Sequence, residues 1–317
     1  INRKLHRFFP NHAIIVYNEG VIKSIRYLYC LQLFVALLFF FVTASHAEAV
    51  RETLNSGNIH IAYVAYDADS KAVLKYAYGS SAWNLSSVVI DPNIDNGYEN
   101  DTFCPAIAAD LSGGVHISYV KSEGTINSLV YTTNCSGQWQ SEVIDSAVGY
   151  GGFPDIAADS QGNLHIVYNN GPFPSIYADS EVYYFCGTMG NWQSCILRED
   201  VYFRTIPMSP SIALDENDSP HVVFPDYSPQ MEPELAYMYK AGGYWYLDIV
   251  GTTFKVPEYT SIEFDSSNRP HILYINYSHT ENMFYYFYNI IHAVKNSSWT
   301  FEALSPDRRQ LCGAAFD

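Results

Sequence analysis

Positive charge is scarce in this chain: 17 Lys and Arg stand against 33 Asp and Glu in 317 residues, a formal net charge of −16. Phosphate binding needs the opposite field, so nucleic acid is excluded as a natural partner. Charged residues of either sign reach only 16 %. Aromatics reach the same share, with 27 Tyr and 18 Phe, a composition suited to short pleated strands rather than helices. No CxxC pair occurs among the six Cys, so no zinc centre is expected, and no motif supports a calcium site. The one long apolar run, Leu28 to Val42, is shorter than the ~20 residues that span a bilayer.

Lys23 and Arg26 precede that run, and Ser45-His46-Ala47 follows it with small residues at the two positions a signal peptidase reads. Residues 24 to 47 are therefore expected to be a secretory signal, the alternative being an uncleaved membrane anchor. Residues 1 to 23 read as upstream translation rather than structure, since the chain opens on Ile1, and the sequence is expected to be a fragment. Removal of residues 1 to 47 leaves 12 basic and 32 acidic residues, a net charge of −20. A secreted or extracytoplasmic location makes disulfides and the six N-x-S/T sequons relevant. Cys186 and Cys195 flank the turn of an expected hairpin and are the candidate bridge. Cys104, Cys135 and Cys312 have no evident partner, and with Cys30 in the signal at least one thiol stays free or bonds elsewhere.

What the chain has in abundance is a repeat. An Asp and a His six residues apart recur as Asp110/His116, Asp159/His165, Asp215/His221 and Asp265/His271, while His60 has Leu54 where the Asp would be. Periodicity near fifty residues argues for one array with a continuous core rather than two domains. Each repeat reads as four short strands. The first is small and apolar, as in Pro154-Asp155-Ile156-Ala157-Ala158, which suits a strand crowded near an axis. An Asp-x-x-Gly/Asn/Asp turn leads to a second strand of alternating residues such as Ile166/Tyr168. The third carries a Tyr two residues after an apolar one: Leu74/Tyr76, Leu129/Tyr131, Val182/Tyr184, Leu235/Tyr237 and Phe284/Tyr286. The fourth opens on Trp83, Trp139, Trp192, Trp245 or Trp299, all the tryptophan in the protein.

The expected fold is all-β, a β-propeller of four-stranded antiparallel blades over residues 48 to 317. The blades are about 51–103, 104–153, 154–208, 209–259 and 260–311, with 312–317 an extra first strand. Blade one shows no credible first strand of its own. Either that C-terminal strand closes a five-bladed ring, or the chain is the truncated start of a six- to eight-bladed one, the reading preferred from sequence.

A catalytic device is needed once, whereas the Asp/His pair is repeated, so all eight residues are expected to be structural. No catalytic residue is assigned. Binding is expected on the variable loops that join strand two to strand three and strand four to the next blade. The candidate residues there are Asp67, Tyr150, Tyr177, Asp179, Arg204, Asp226, Tyr227 and Tyr259. Rings and carboxylates around a funnel suit a glycan, or else an extracellular protein. The competing reading is a glycoside hydrolase using two of Asp67, Asp179, Asp226 and Glu232 across a pocket.

With repeats of the form Ile-Ala-x-Asp-x-x-Gly-x-x-His-Ile-x-Tyr laid out, residues 51 to 317 resemble the sialidase-like, BNR-type β-propeller superfamily of secreted proteins. The resemblance implies a scaffold shared by exo-sialidases, other glycosidases and lectins. It does not extend to the enzymes' arginine triad or their Asp box, and in Tyr202-Phe203-Arg204-Thr205-Ile206-Pro207 a Thr interrupts the Phe/Tyr-Arg-Ile-Pro motif.

Overall fold

In a computed structural model, the described residues are 3–7, 14–18, 50–55, 58–69, 71–79, 85–94, 105–124, 126–148, 153–170, 179–202, 209–227, 233–252, 256–279 and 286–304. The chain divides into two compact units, Ile1–Ala147 and Val148–Asp317. Among the described residues every element is a strand, and no helix is long and apolar enough to cross a membrane. The expected signal, residues 24 to 47, and the C-terminal stretch 312 to 317 lie outside them.

The first unit opens with a hairpin of β1 (Arg3–Arg7) and β2 (Ile14–Asn18), in a stretch expected to carry no structure. The β-branched Ile14, Ile15 and Val16 favour it. Blade one is β3 (Val50–Asn55), β4 (Asn58–Tyr66), β5 (Ala72–Gly79) and β6 (Leu85–Asp91). Blade two is β7 (Ala106–Ala109), β8 (Val115–Glu123), β9 (Ile126–Thr133) and β10 (Gln140–Val148), whose last residue opens the second unit. Blade one therefore has its own first strand. β3 was missed because Val-Arg-Glu-Thr-Leu-Asn lacks the small residues of its counterparts, yet ladder bonds are made by backbone and need no particular side chain.

The second unit holds three more meanders. Blade three is β11 (Asp155–Ala158), β12 (Leu164–Asn170), β13 (Asp179–Thr188) and β14 (Asn191–Tyr202). Blade four is β15 (Ser211–Leu214), β16 (Pro220–Tyr227), β17 (Pro233–Ala241) and β18 (Tyr244–Thr252), and blade five is β19 (Val256–Phe264), β20 (Pro270–His279), β21 (Tyr286–Lys295) and β22 (Trp299–Ala303). The fold class is thus a β-propeller of four-stranded antiparallel blades, five of which are described.

Alternation along each strand puts one apolar row on each face, so both faces must be covered, and neighbouring blades cover them. In the first unit Leu74 and Tyr76 pack with Ile117, Tyr119 and Val130 of the next blade, with Trp139 beside them. The second unit repeats this twice, with Val182 and Tyr184 against Val222 and Phe224, then Leu235 and Tyr237 against Ile272 and Tyr274. At each junction the fourth-strand Trp of one blade meets the third-strand Tyr of the blade before it, edge to face. The pairs are Tyr76/Trp139 at 4.9 Å, Tyr184/Trp245 at 5.0 Å and Tyr237/Trp299 at 5.2 Å between ring centroids. Such pairs add about 0.5–1.5 kcal/mol each beyond the area they bury.

In blade five the register departs from expectation. His271 pairs with Val294, which puts Ile290 and His292, rather than Phe284 and Tyr286, at the apolar-x-Tyr positions.

Candidate functional site

The four Asp-to-His turns share one geometry. The Asp Oδ1 accepts the amides two and four residues on: Ser112 and Gly114, both at 2.8 Å, Gln161 and Asn163 at 2.9 and 2.7 Å, Asn217 and Ser219 at 2.9 and 2.8 Å, and Ser267 and Arg269 at 2.9 and 3.0 Å. This requires a left-handed residue in the third place after the Asp, supplied by Gly113, Gly162, Asp218 and Asn268. The two non-glycine residues use their side chains to bridge blades: Asp218 accepts the amide and hydroxyl of Ser160, and Asn268 accepts the amide of Glu216 at 3.0 Å.

The Asp Oδ2 faces the His Nε2 at 3.1 Å in blade two, 3.6 Å in blade three, 3.7 Å in blade four and 3.1 Å in blade five. The other ring nitrogen meets the third-strand Tyr hydroxyl at 2.6–2.7 Å for His116/Tyr131, His165/Tyr184 and His221/Tyr237, and His60/Tyr76 repeats this at 2.7 Å without an Asp. His271 meets His292 instead, at 2.9 Å. Burial lowers the pKa of His60, His116, His165 and His221, so these imidazoles stay neutral near pH 7. Burial works against the Asp110 charge, but hydrogen bonds from Ser112, His116 and Gly114 hold its pKa down at about 2. The ring is held at both nitrogens in blades two and five and at Nδ1 alone in blades one, three and four, where the buried Nε2 of His165 and His221 has no hydrogen-bond partner; in each of these blades it fastens strand two to strand three.

The candidate binding residues meet different fates. Asp67 is exposed, and its Oδ1 accepts the amides of Asp69 and Lys71, both at 2.9 Å, so it shapes its own turn. Asp226 lies on β16 rather than in a loop, and is 1 % exposed. Its Oδ2 accepts Arg198 Nε at 2.9 Å, while its Oδ1 has no partner. Burial raises the Asp226 pKa and Arg198 pulls it back, burial prevailing. Asp179 opens β13, Tyr227 ends β16, and Tyr259 sits at a bulge in β19. Tyr150, Tyr177, Arg204 and Glu232 lie outside the described residues. Cys186 and Cys195, expected as a bridge, are both free thiols. The ladder pairs Cys186 with Gln193 and Cys195 with Tyr184, a diagonal placement of about 7–8 Å between backbones that is too long for a disulfide.

Two features at the Asp/His end were not anticipated. One is a cleft of about 430 Å³ between blades four and five, where His221, Tyr237, Tyr239, Phe264, Arg269 and Lys295 line the wall. Lys295 is engaged there, donating to Asp248 Oδ2 at 2.6 Å and lying over the Tyr237 ring at 5.0 Å. The other is Cys135, whose Sγ stands beside Asp110 and His116. Twenty-five residues separate Cys135 from Asp110, so only the pairing of β8 with β9 brings them together.

No protein-family model matches this chain, and no curated protein matches its sequence. Solved structures do match its fold. A six-bladed fucose-recognising lectin from Aleuria aurantia superposes with a TM-score of 0.52 at 11 % identity over 83 % of this chain and 79 % of that one. A polysaccharide lyase of family PL25, an ulvan lyase, gives 0.53 at 12 % over 81 % and 71 %. A sialidase from Streptococcus pneumoniae gives 0.52 at 10 % over 83 % of this chain, which spans only 62 % of that protein. These are likenesses of fold, and they agree with the propeller class derived from the sheets.

Proposed function

We propose that this chain is an exported β-propeller that recognises a glycan through the face carrying the strand-two to strand-three loops, without catalysing a reaction. The observation that carries the reading is the Arg198/Asp226 pair at that end of blades three and four. It combines a buried carboxylate with a guanidinium that is 39 % exposed and that the carboxylate holds in place through Nε. The oriented guanidinium can donate to a ring oxygen, hydroxyl or carboxylate of a sugar, with Asp226 as the group that positions it. The lectin, lyase and sialidase among the fold's likenesses support the choice of carbohydrate over other ligands.

The test is a glycan array probed with the full chain, run beside chromogenic glycosides. Binding without turnover, weakened at least tenfold in Asp226→Asn and in Arg198→Lys, is the expected result. Turnover would overturn the reading in favour of a glycoside hydrolase with a catalytic pair of carboxylates. Silence in both assays would overturn the reading in favour of a protein partner. Export is checked by N-terminal sequencing of the secreted chain, with a start near Glu48 expected.

A further inference from the structure

We propose that Asp110 Oδ2, His116 Nε2 and Cys135 Sγ form a three-ligand site for a divalent cation of the zinc class. The three atoms converge: Nε2 to Oδ2 is 3.1 Å, Sγ to Oδ2 is 3.8 Å and Sγ to Nε2 is 3.7 Å. Donors on a tetrahedral zinc, at about 2.0 Å for O and N and about 2.3 Å for S, stand about 3.3 Å apart for O to N and about 3.5 Å for either to S. The triangle therefore has close to the edge lengths an ion needs, before any side chain moves. A carboxylate, an imidazole and a thiol are a donor set for zinc or cobalt and a poor one for calcium or magnesium.

Each ligand is held from behind. Asp110 Oδ1 accepts from Ser112 and Gly114, and Oδ2 is the oxygen turned toward His116 Nε2 and Cys135 Sγ. His116 is 5 % exposed at its side chain, and its Nδ1 lies 2.7 Å from Tyr131 Oη. When Nδ1 donates to that hydroxyl, Nε2 carries the lone pair, the outer hydrogen bond that metal-bound histidines ordinarily make. Cys135 sits in the turn after β9, which is pinned by Asn134 Oδ1 accepting Val115 N at 2.9 Å, and Thr133 Oγ1 stands 3.0 Å from Sγ.

Blades three and five act as internal controls. Four residues after the Asp, blade three has Asn163, whose Nδ2 donates to Asp159 Oδ2 at 2.8 Å, and blade five has Arg269, whose Nε donates to Asp265 Oδ2 at 2.8 Å. Their carboxylates are thus filled from within the turn. Blade two has Gly114, and a Cβ there would collide with Cys135 Sγ and lie 2.6 Å from Asp110 Oδ2. Where blade two has Cys135, the same register position is Thr188, Ala241 and Asn296 in the later blades. The glycine that clears the space and the thiol that enters it thus occur together in one blade. With three protein ligands the fourth position is left to solvent or to a ligand, because Cys135 lies at the surface.

The test is titration of the full chain, reduced and metal-free, with Co²⁺. One equivalent is expected to produce a thiolate-to-cobalt charge-transfer absorption that Zn²⁺ then abolishes. Cys135→Ser and Gly114→Ala should lose it with the far-ultraviolet dichroism unchanged, and Cys195→Ser should keep it. Tyr131→Phe, which preserves the ring and removes the hydroxyl behind His116, should weaken affinity by about 10- to 100-fold. The proposal is overturned if no charge-transfer band appears, if the band survives in Cys135→Ser, or if Cys135 is found in a disulfide in the secreted chain.

Discussion

Replacing Asp159 tests whether the repeated carboxylate fastens its blade. Its Oδ1 accepts Gln161 N at 2.9 Å and Asn163 N at 2.7 Å, and its Oδ2 accepts Asn163 Nδ2 at 2.8 Å. The side chain is 8 % exposed, so water does not restore these bonds when the carboxylate goes. Hydrogen bonds to a charged partner contribute about 1.5–3 kcal/mol each when buried, and at the rim of a turn the lower end applies. Asp159→Ala, which strands two amides, is therefore expected to cost about 2–3 kcal/mol. Asp159→Asn keeps an acceptor at Oδ1 but puts an amide donor in place of Oδ2, losing the charge and the bond from Asn163 Nδ2, for about 1–2 kcal/mol. Urea unfolding followed by tryptophan fluorescence reads the difference, because Trp245 lies at the interface of blade three with blade four.

Acid supplies the second arm of that experiment. Burial opposes the Asp159 charge, yet hydrogen bonds from Asn163 and Gln161 prevail and its pKa is lowered. A carboxylate depressed on folding contributes stability that is present above its unfolded value, near pH 4, and is lost as pH falls through the lower folded value. The gap between wild type and Asp159→Asn must therefore shrink on acidification below about pH 4. An alanine variant within 0.5 kcal/mol of wild type at pH 7, or a gap that widens in acid, would refute the fastening.

Other variants probe the remaining contacts. Trp299→Ala removes the ring against Tyr237 and is expected to cost about 2–3 kcal/mol, below the usual range for a buried tryptophan because the residue is only half-buried, read as a lower denaturation midpoint. Arg198→Ala leaves Asp226 buried without its cation and should cost about 2–4 kcal/mol, most of it recovered in Arg198→Met with Asp226→Leu; no recovery would show that the pair is not the source. Gly187→Ala places a Cβ against the Asn191 carbonyl at a φ of +151°, and should lower the melting temperature more than Gly190→Ala, whose site is open.

Much of this fold is legible in the sequence because the repeat speaks five times. The Asp-to-His interval and the third residue after the Asp mark the turns, and one Trp per blade marks the fourth strand. Legibility fails where one blade departs from its siblings. Phe284 and Tyr286 imitate the third-strand pattern, and only the ladder opposite His271 shows that Ile290 and His292 hold those places. β3 is polar and lacks alanine, so its pairing is visible only as backbone. Asp226 reads as a loop residue because Pro225 and Pro229 punctuate its surroundings, but Arg198, from another blade, lets its charge be buried in a strand. Cys135 is invisible for the same reason: the residues that make it chemically interesting are distant in sequence and belong to a pattern that otherwise looks uniform.

The Tyr-to-Trp contact between blades has a direction. In the three described cases the tryptophan comes from the later blade and the tyrosine from the earlier one, so the contact has a front that offers Tyr, in blades one, three and four, and a back that presents Trp, in blades two, four and five. A head-to-tail interface of this kind is asymmetric, and one rule serves any number of copies. Duplication or loss of a whole blade joins the same front to the same back, with no new contact to invent. A reversed blade would set Tyr against Tyr and leave two tryptophans facing each other. The interface thus acts as a polarity mark that fixes stacking order independently of the loops, and the loops stay free to diverge.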